Sequence, residues 1–235
     1  MKNENNIMRL ACLYSGGKDS TYSLYLAKKL NHEVVCLITI HPLSDESLLY
    51  HYPNSVISSK LADAIGLPII ENYSTSLDKE KEIDKLYDAL NEAKIRYSID
   101  GIVHGTIATQ FQLKIFNQIC NRLSLKIHSP IWGIDTDSYY KQLIENKFKV
   151  IITRVAALGL DKSWLGKTID TKTINILRKN SKRFKFNLNF EGGEAETMVI
   201  DCPLYRKQIV IRESKIHWDG IRGMFEILDV DLITK

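Results

Sequence analysis

The stretch from Arg9 to Leu30, R-L-A-C-L-Y-S-G-G-K-D-S-T-Y-S-L-Y-L-A-K-K-L, restricts the fold more than any other part of the chain. Its apolar run Arg9–Tyr14 reads as a buried strand. Ser15-Gly16-Gly17-Lys18-Asp19-Ser20 interrupts it, and Leu24, Leu26, Ala27 and Leu30 then recur at helical spacing, which predicts a helix from near Ser20. The glycines permit a sharp turn, and a helix start adds backbone N–H donors and the positive end of its dipole. Strand, glycine turn and helix start together make an anion-binding device. It is not a Walker A loop, because Cys12 stands where the first glycine belongs and Asp19 follows Lys18. Nor is there a dinucleotide G-x-G-x-x-G. A ligand-free turn would explain the glycines but not the flanking Ser, Lys, Asp and Ser.

Downstream, strand and helix signals alternate. Apolar or β-branched runs at 33–40, 68–71, 99–103 and 127–131 read as strands, and helical periodicity fills 55–65, 78–94 and 110–123, with Gly66 as a natural C-cap. This alternation predicts a doubly wound, parallel five-stranded α/β sheet with helices on both faces. Loops that follow its strands, 15–20, 41–53 and 104–109, belong on one rim, where such sheets bind ligands. Beyond about Asp135 the pattern changes: a helix at 139–145, a strand at 149–155, an irregular stretch to 168, a helix at 171–179 and short strands at 197–200, 208–213, 215–218 and 225–230. The division expected is 1–132 as a nucleotide-binding domain and 133–235 as a smaller, mixed or antiparallel α+β domain.

At 235 residues with 44% hydrophobic and 26% charged side chains, the chain can bury a sizeable core. A net charge of +4 is spread along it, densest at Arg178–Arg183, where a solvated helix end outweighs an RNA or acidic-protein contact. No stretch is apolar for long enough to cross a bilayer, so no membrane partner is expected. The cysteines Cys12, Cys36, Cys120 and Cys202 are scattered, form no zinc pattern and suit reduced thiols in the cytoplasm.

A second signature lies at Phe190–Tyr205, F-E-G-G-E-A-E-T-M-V-I-D-C-P-L-Y. Crowding Glu191, Glu194 and Glu196 around a Gly-Gly turn requires compensating cations or hydrogen-bond donors. The residue types alone leave two readings: a site for metal, ammonium or a cationic substrate, or a solvated acidic hairpin.

The hexad Ser15–Ser20 resembles the loop of the N-type ATP pyrophosphatases. Joined to E-G-G-E-x-E-T and V-x-D-x-P-L-[FY], it resembles the diphthine–ammonia ligase (diphthamide synthetase) family, whose fold is the PP-loop, HUP-like sheet with a C-terminal α+β domain. Gly105-Thr106-Ile107, Phe111-Gln112, Pro130-Ile131-Trp132 and Leu165-Gly166-Lys167 are similar to further family segments. Ala195 departs from a usual aromatic, and Leu113, Ile115 and Asn117 from usual charged residues.

The resemblance implies a reaction in which ATP, ammonium and diphthine on translation elongation factor 2 give diphthamide, AMP and pyrophosphate through an acyl-adenylate. It assigns ATP to Ser15, Gly16, Gly17, Lys18, Asp19 and Ser20, with His41, Gly105 and Thr106 from the same rim, and Mg²⁺ to Asp19. Catalysis falls to Lys18, Asp19, Glu191, Glu194 and Glu196, the glutamates holding ammonium or the diphthine trimethylammonium. Substrate contacts fall to Tyr50, His51, Gln112, Trp132, Gly192, Gly193 and Thr197. A homodimer is one expected assembly. Nucleic acid is not an expected partner, although a tRNA-modifying N-type ATP pyrophosphatase that adenylates a base is the competing reading.

Overall fold

The computed structural model describes residues 7–43, 57–74, 76 and 78–235. The Cα positions cluster into two compact units. One takes, among the described residues, 7–15, 19–43 and those from 67 to 132. The other takes Gly16–Lys18, the described residues 57–66, and Gly133–Lys235.

The first unit is built on β1 (Arg9–Leu13), β2 (Glu33–His41), β3 (Ile69–Tyr73), β4 (Gly101–Val103) and β5 (Lys126–His128). They pair in parallel in the order β3-β2-β1-β4-β5. Helix α1 (Lys18–Lys29) follows β1, α3 (Lys79–Tyr97) precedes β4, and α4 (Gln110–Leu123) precedes β5. One core joins Ala11, Cys36, Ile38, Ile40, Ile70 and Ile102 of the sheet to Leu86, Ala89, Leu90 and Ala93 of α3 and Ile115, Phe116, Ile119 and Cys120 of α4. Both helices present this apolar stripe at three- and four-residue intervals. Asp78 starts α3 by accepting the Glu80 N–H at 2.9 Å. Ile115 is part of this core.

The expected fifth strand ends early. It stops at His128 rather than Ile131, because Ser129 and Pro130 turn the chain and Pro130 has no N–H for a ladder. The Trp132 N–H closes that turn on the Ser129 carbonyl at 3.2 Å.

In the second unit, β6 (Lys149–Val155), β7 (Ala195–Asp201), β8 (Lys207–Trp218) and β9 (Gly223–Thr234) form an antiparallel sheet ordered β7-β6-β9-β8. Helices α2 (Ser58–Ile65), α5 (Thr136–Glu145) and α6 (Thr171–Phe184) complete it. Gly66 caps α2 in the left-handed conformation, as the sequence predicts. β8 is one strand where two were expected; its pairing register shifts around Glu213 and Ser214, so a bulge interrupts the alternation without ending the ladder. α6 runs past Lys179 because nothing there breaks it and Lys182 and Arg183 suit its C-terminal dipole. The basic cluster is therefore the last turns of a helix, with Arg178 paired to Asp137 at 2.7 Å. Among the described residues no helix is long and apolar enough to cross a membrane.

Candidate functional site

Strand order in the first sheet reverses between β1 and β4, and the crevice outside the carboxyl ends of such strands is where these folds bind ligands. β1 runs into Ser15 there, and β4 runs into His104-Gly105-Thr106. The Ser15 N–H donates to Ser20 Oγ at 3.2 Å, and the two hydroxyls lie 3.1 Å apart, so Ser20 closes the turn from inside the first helical turn. Asp19 sits beside it at the start of α1. A Cβ on Gly105 would lie 2.5 Å from the Ser20 nitrogen and 2.6 Å from the Asp19 carbonyl carbon. Only glycine lets the end of β4 approach the start of α1 this closely.

His104, buried at 1% exposure, fastens the same corner. Its Nδ1 accepts the Thr106 N–H at 3.2 Å, so the neutral ring carries its proton on Nε2 and donates to Ser129 Oγ at 2.7 Å. Thr106 Oγ1 donates to Gln112 Oε1 at 3.1 Å. Burial, with nearby His128, lowers the His104 pKa from 6.5 to about 4. Between those values an unfolded chain takes up a proton that the folded one refuses. The contribution to stability is therefore full above pH 6.5 and is lost as pH falls toward 4, by about 3 kcal/mol in all. Melting curves from pH 7 to 4 should show a shallower acid decline for His104→Gln than for the native chain; parallel declines would assign the slope to other groups.

The turn Gly16–Lys18 belongs to the second unit and is stitched to β7. The Gly16 carbonyl accepts the Val199 N–H at 2.9 Å, and the Lys18 N–H donates to Thr197 Oγ1 at 3.2 Å. Gly16 has φ +75°, and a Cβ there would meet the end of Leu61 at 2.6 Å. The Lys18 ammonium, which the sequence reading gives to phosphate, is 1% exposed and donates to the Asn189 carbonyl at 2.7 Å. It lies 5.4 Å from the Phe190 ring centroid and 5.9 Å from that of Tyr139.

The glutamates of the acidic signature have different surroundings. Each oxygen of Glu194 accepts a backbone amide, Asn187 at 2.9 Å and Gly192 at 2.8 Å, which makes it a brace of its own loop. Glu196 stands opposite Arg154 across β6 and β7 and pairs with it at 3.3 Å, both largely buried. Glu191 is half-buried ahead of Gly192 and Gly193, and Gly193 needs its positive φ of 79°. Ala195 is buried at the start of β7.

Elsewhere, His41 is held by Glu71 at 2.8 Å and stacks on Tyr73. Trp132 is half-buried in the turn after β5. Tyr50 and His51 lie outside the described residues. Cys36, Cys120 and Cys202 are buried, which pushes their thiols up to about 12, so none is an activated nucleophile. Among the described residues no group of three or more His, Cys, Asp or Glu side chains comes together to hold a metal. Sequence reasoning missed Asn189, which carries no motif, gave no role to Phe190 although it opens the acidic signature, and missed the paired role of Arg154, which only strand register reveals.

Two family models match the chain, that of the diphthamide synthase N-terminal domain over residues 8–127 and that of the diphthamide synthase C-terminal domain over 135–233. Similar curated proteins are named diphthine–ammonia ligase. The one from Homo sapiens is 31% identical over 227 residues, covering 89% of this chain and 85% of its own. That from Danio rerio is 32% identical over 232 residues, covering 90% of both. That from Schizosaccharomyces pombe is 29% identical over 224 residues, covering 89% of this chain and 37% of its own.

Proposed function

The chain belongs to the diphthamide synthase family, and from that membership we propose that it is a cytoplasmic ligase that amidates the diphthine carboxylate of translation elongation factor 2 with ammonium at the expense of ATP. The reading rests above all on the match of both family domains, in order, to a chain whose Ser15–Ser20 turn leaves β1 at the reversal of strand order.

A carboxylate is a poor acyl donor because its leaving group would be oxide. Attack of the carboxylate oxygen on the α-phosphorus of ATP breaks the bond to pyrophosphate and forms an acyl-adenylate. Ammonia then adds to the carbonyl carbon and AMP departs with the former carboxylate oxygen. In this scheme the Ser15 and Ser20 hydroxyls and the start of α1 face the phosphates, since fixed donors and a helix N-terminus favour the charge that develops there. Mg²⁺ is commonly held by one or two carboxylates plus phosphate oxygens, so Asp19 alone fits it; when bound it would neutralise charge on the departing pyrophosphate.

Glu194 and Glu196 are engaged by backbone amides and Arg154 respectively. In this scheme Glu191, Glu194 and Glu196 together form the acceptor half-site, as the family resemblance implies, a carboxylate of this loop taking the proton from ammonium while Glu194 also braces the loop and Glu196 ties it to β6 through Arg154.

The test is turnover of purified protein with ATP, ammonium and diphthine-bearing elongation factor 2. The expected result is equal release of AMP and pyrophosphate and conversion of the acid to its amide, with an oxygen label in the carboxylate passing to AMP. Release of AMP with tRNA, and none with the elongation factor, would reject the assignment.

A further inference from the structure

Phe190 has φ +66°, in the left-handed region where a Cβ crowds the neighbouring carbonyl. The other described non-glycine residues with positive φ are Asn31, Ser98, Ser124, Lys147 and Lys185, all polar, and Ser98, Ser124 and Lys185 cap helices. Phe190 caps none. Its own backbone bonds, from its N–H to Asn187 O at 3.0 Å and from the Gly193 N–H to its carbonyl at 3.3 Å, would form equally well with glycine. Something other than main-chain geometry therefore keeps an aromatic ring here, and a strained residue persists only where its surroundings hold it.

The ring, 6% exposed, presents itself to the Lys18 ammonium, 5.4 Å from its centroid. That ammonium is itself buried, and a buried charge must be compensated. The Asn189 carbonyl at 2.7 Å supplies a hydrogen bond, and the rings of Phe190 and Tyr139 add the negative potential of aromatic faces. Asn189 and Phe190 are adjacent, so the left-handed turn at Phe190 sends the ring and the preceding carbonyl to the same amine.

We propose that Phe190 is a positioning residue: with the Asn189 carbonyl and the Tyr139 ring it boxes the Lys18 ammonium and so fixes the Gly16–Lys18 turn on β7. The catalytic consequence rests on the function proposed above; the box itself does not.

Two variants separate ring electronics from bulk. Phe190→Leu keeps an apolar side chain without a π face. Pentafluorophenylalanine at position 190 keeps the shape but withdraws electron density from the face. In protein carrying nitrogen-labelled lysine, the buried Lys18 ammonium should give a slowly exchanging signal, assigned by its loss in Lys18→Arg. That signal is expected to vanish in both Phe190 variants, with kcat/KM for ATP-dependent AMP formation falling about tenfold, the scale of a desolvated cation–π contact. Persistence of the signal in the fluorinated variant overturns the proposal. If the native protein forms no AMP, the ammonium signal alone decides, and only the functional reading falls. The strain has its own readout. Phe190→Gly should melt a few degrees above Phe190→Ala, the reverse of the usual order; an equal or lower transition would remove the backbone argument.

Discussion

Asp19→Ala is expected to abolish ATP-dependent AMP formation while leaving the thermal transition nearly in place. The two effects differ in scale. A carboxylate in the first turn of a helix contributes roughly 0.3–1 kcal/mol through the dipole. For a chain of this size that shifts melting by only a few degrees. Removing a group that fixes charge in a phosphoryl-type transition state costs about 3–4 kcal/mol or more, a hundred- to a thousandfold in rate. Asp19 stands at the start of α1, beside the Ser15–Ser20 turn that Ser20 closes. Asp19→Asn keeps the shape and removes the charge, so it should be as inactive as alanine. Calorimetry would show both variants folded, and AMP formation would be followed with saturating ammonium. Turnover near the native rate in either would remove Asp19 from the chemistry.

The second large effect is predicted at Gly105, where the smallest possible addition is disruptive. The Cβ of Gly105→Ala would stand 2.5–2.9 Å from the Ser20 nitrogen and the Asp19 carbonyl group. These are main-chain atoms of a helix start, so neither side can rotate away as a flexible side chain would. Overpacking of this kind costs about 1–3 kcal/mol. Relief requires α1 to move off the end of β4, carrying the phosphate-facing turn with it. A misplacement of about 1 Å at a reacting centre can lower the rate roughly a hundredfold. Gly105→Ala should therefore melt several degrees lower and bind ATP much more weakly, both measurable by calorimetry. Native ATP affinity in this variant would show that the close approach has no bearing on the nucleotide.

Much of this architecture is legible without coordinates. The alternation of apolar runs and helical periodicity over the first half predicts the parallel five-stranded sheet that forms. The reason is local: strand and helix periods of about 2 and 3.6 residues are written directly into side-chain order. Gly66 as a cap, and α4 over Gln110–Leu123, follow from the same short-range rules. Boundaries that no local signal marks, such as the end of α6 and the continuity of β8 through its bulge, are not legible this way, because neighbouring strands and helix caps decide them.

Taken alone, the order of residues determines the strand–turn–helix at Arg9–Leu30, the family signatures and the class of chemistry they imply, since each depends on neighbours within a few positions. Tertiary structure decides what each charged group faces. Lys18 reads as a phosphate ligand beside Asp19, yet its ammonium is buried on Asn189, 171 residues along the chain. Glu191, Glu194 and Glu196 read as equivalent, yet backbone amides claim one and Arg154 another. Electrostatic and hydrogen-bonding partners are set by distance in space, and folding brings them together from positions that sequence spacing leaves unrelated.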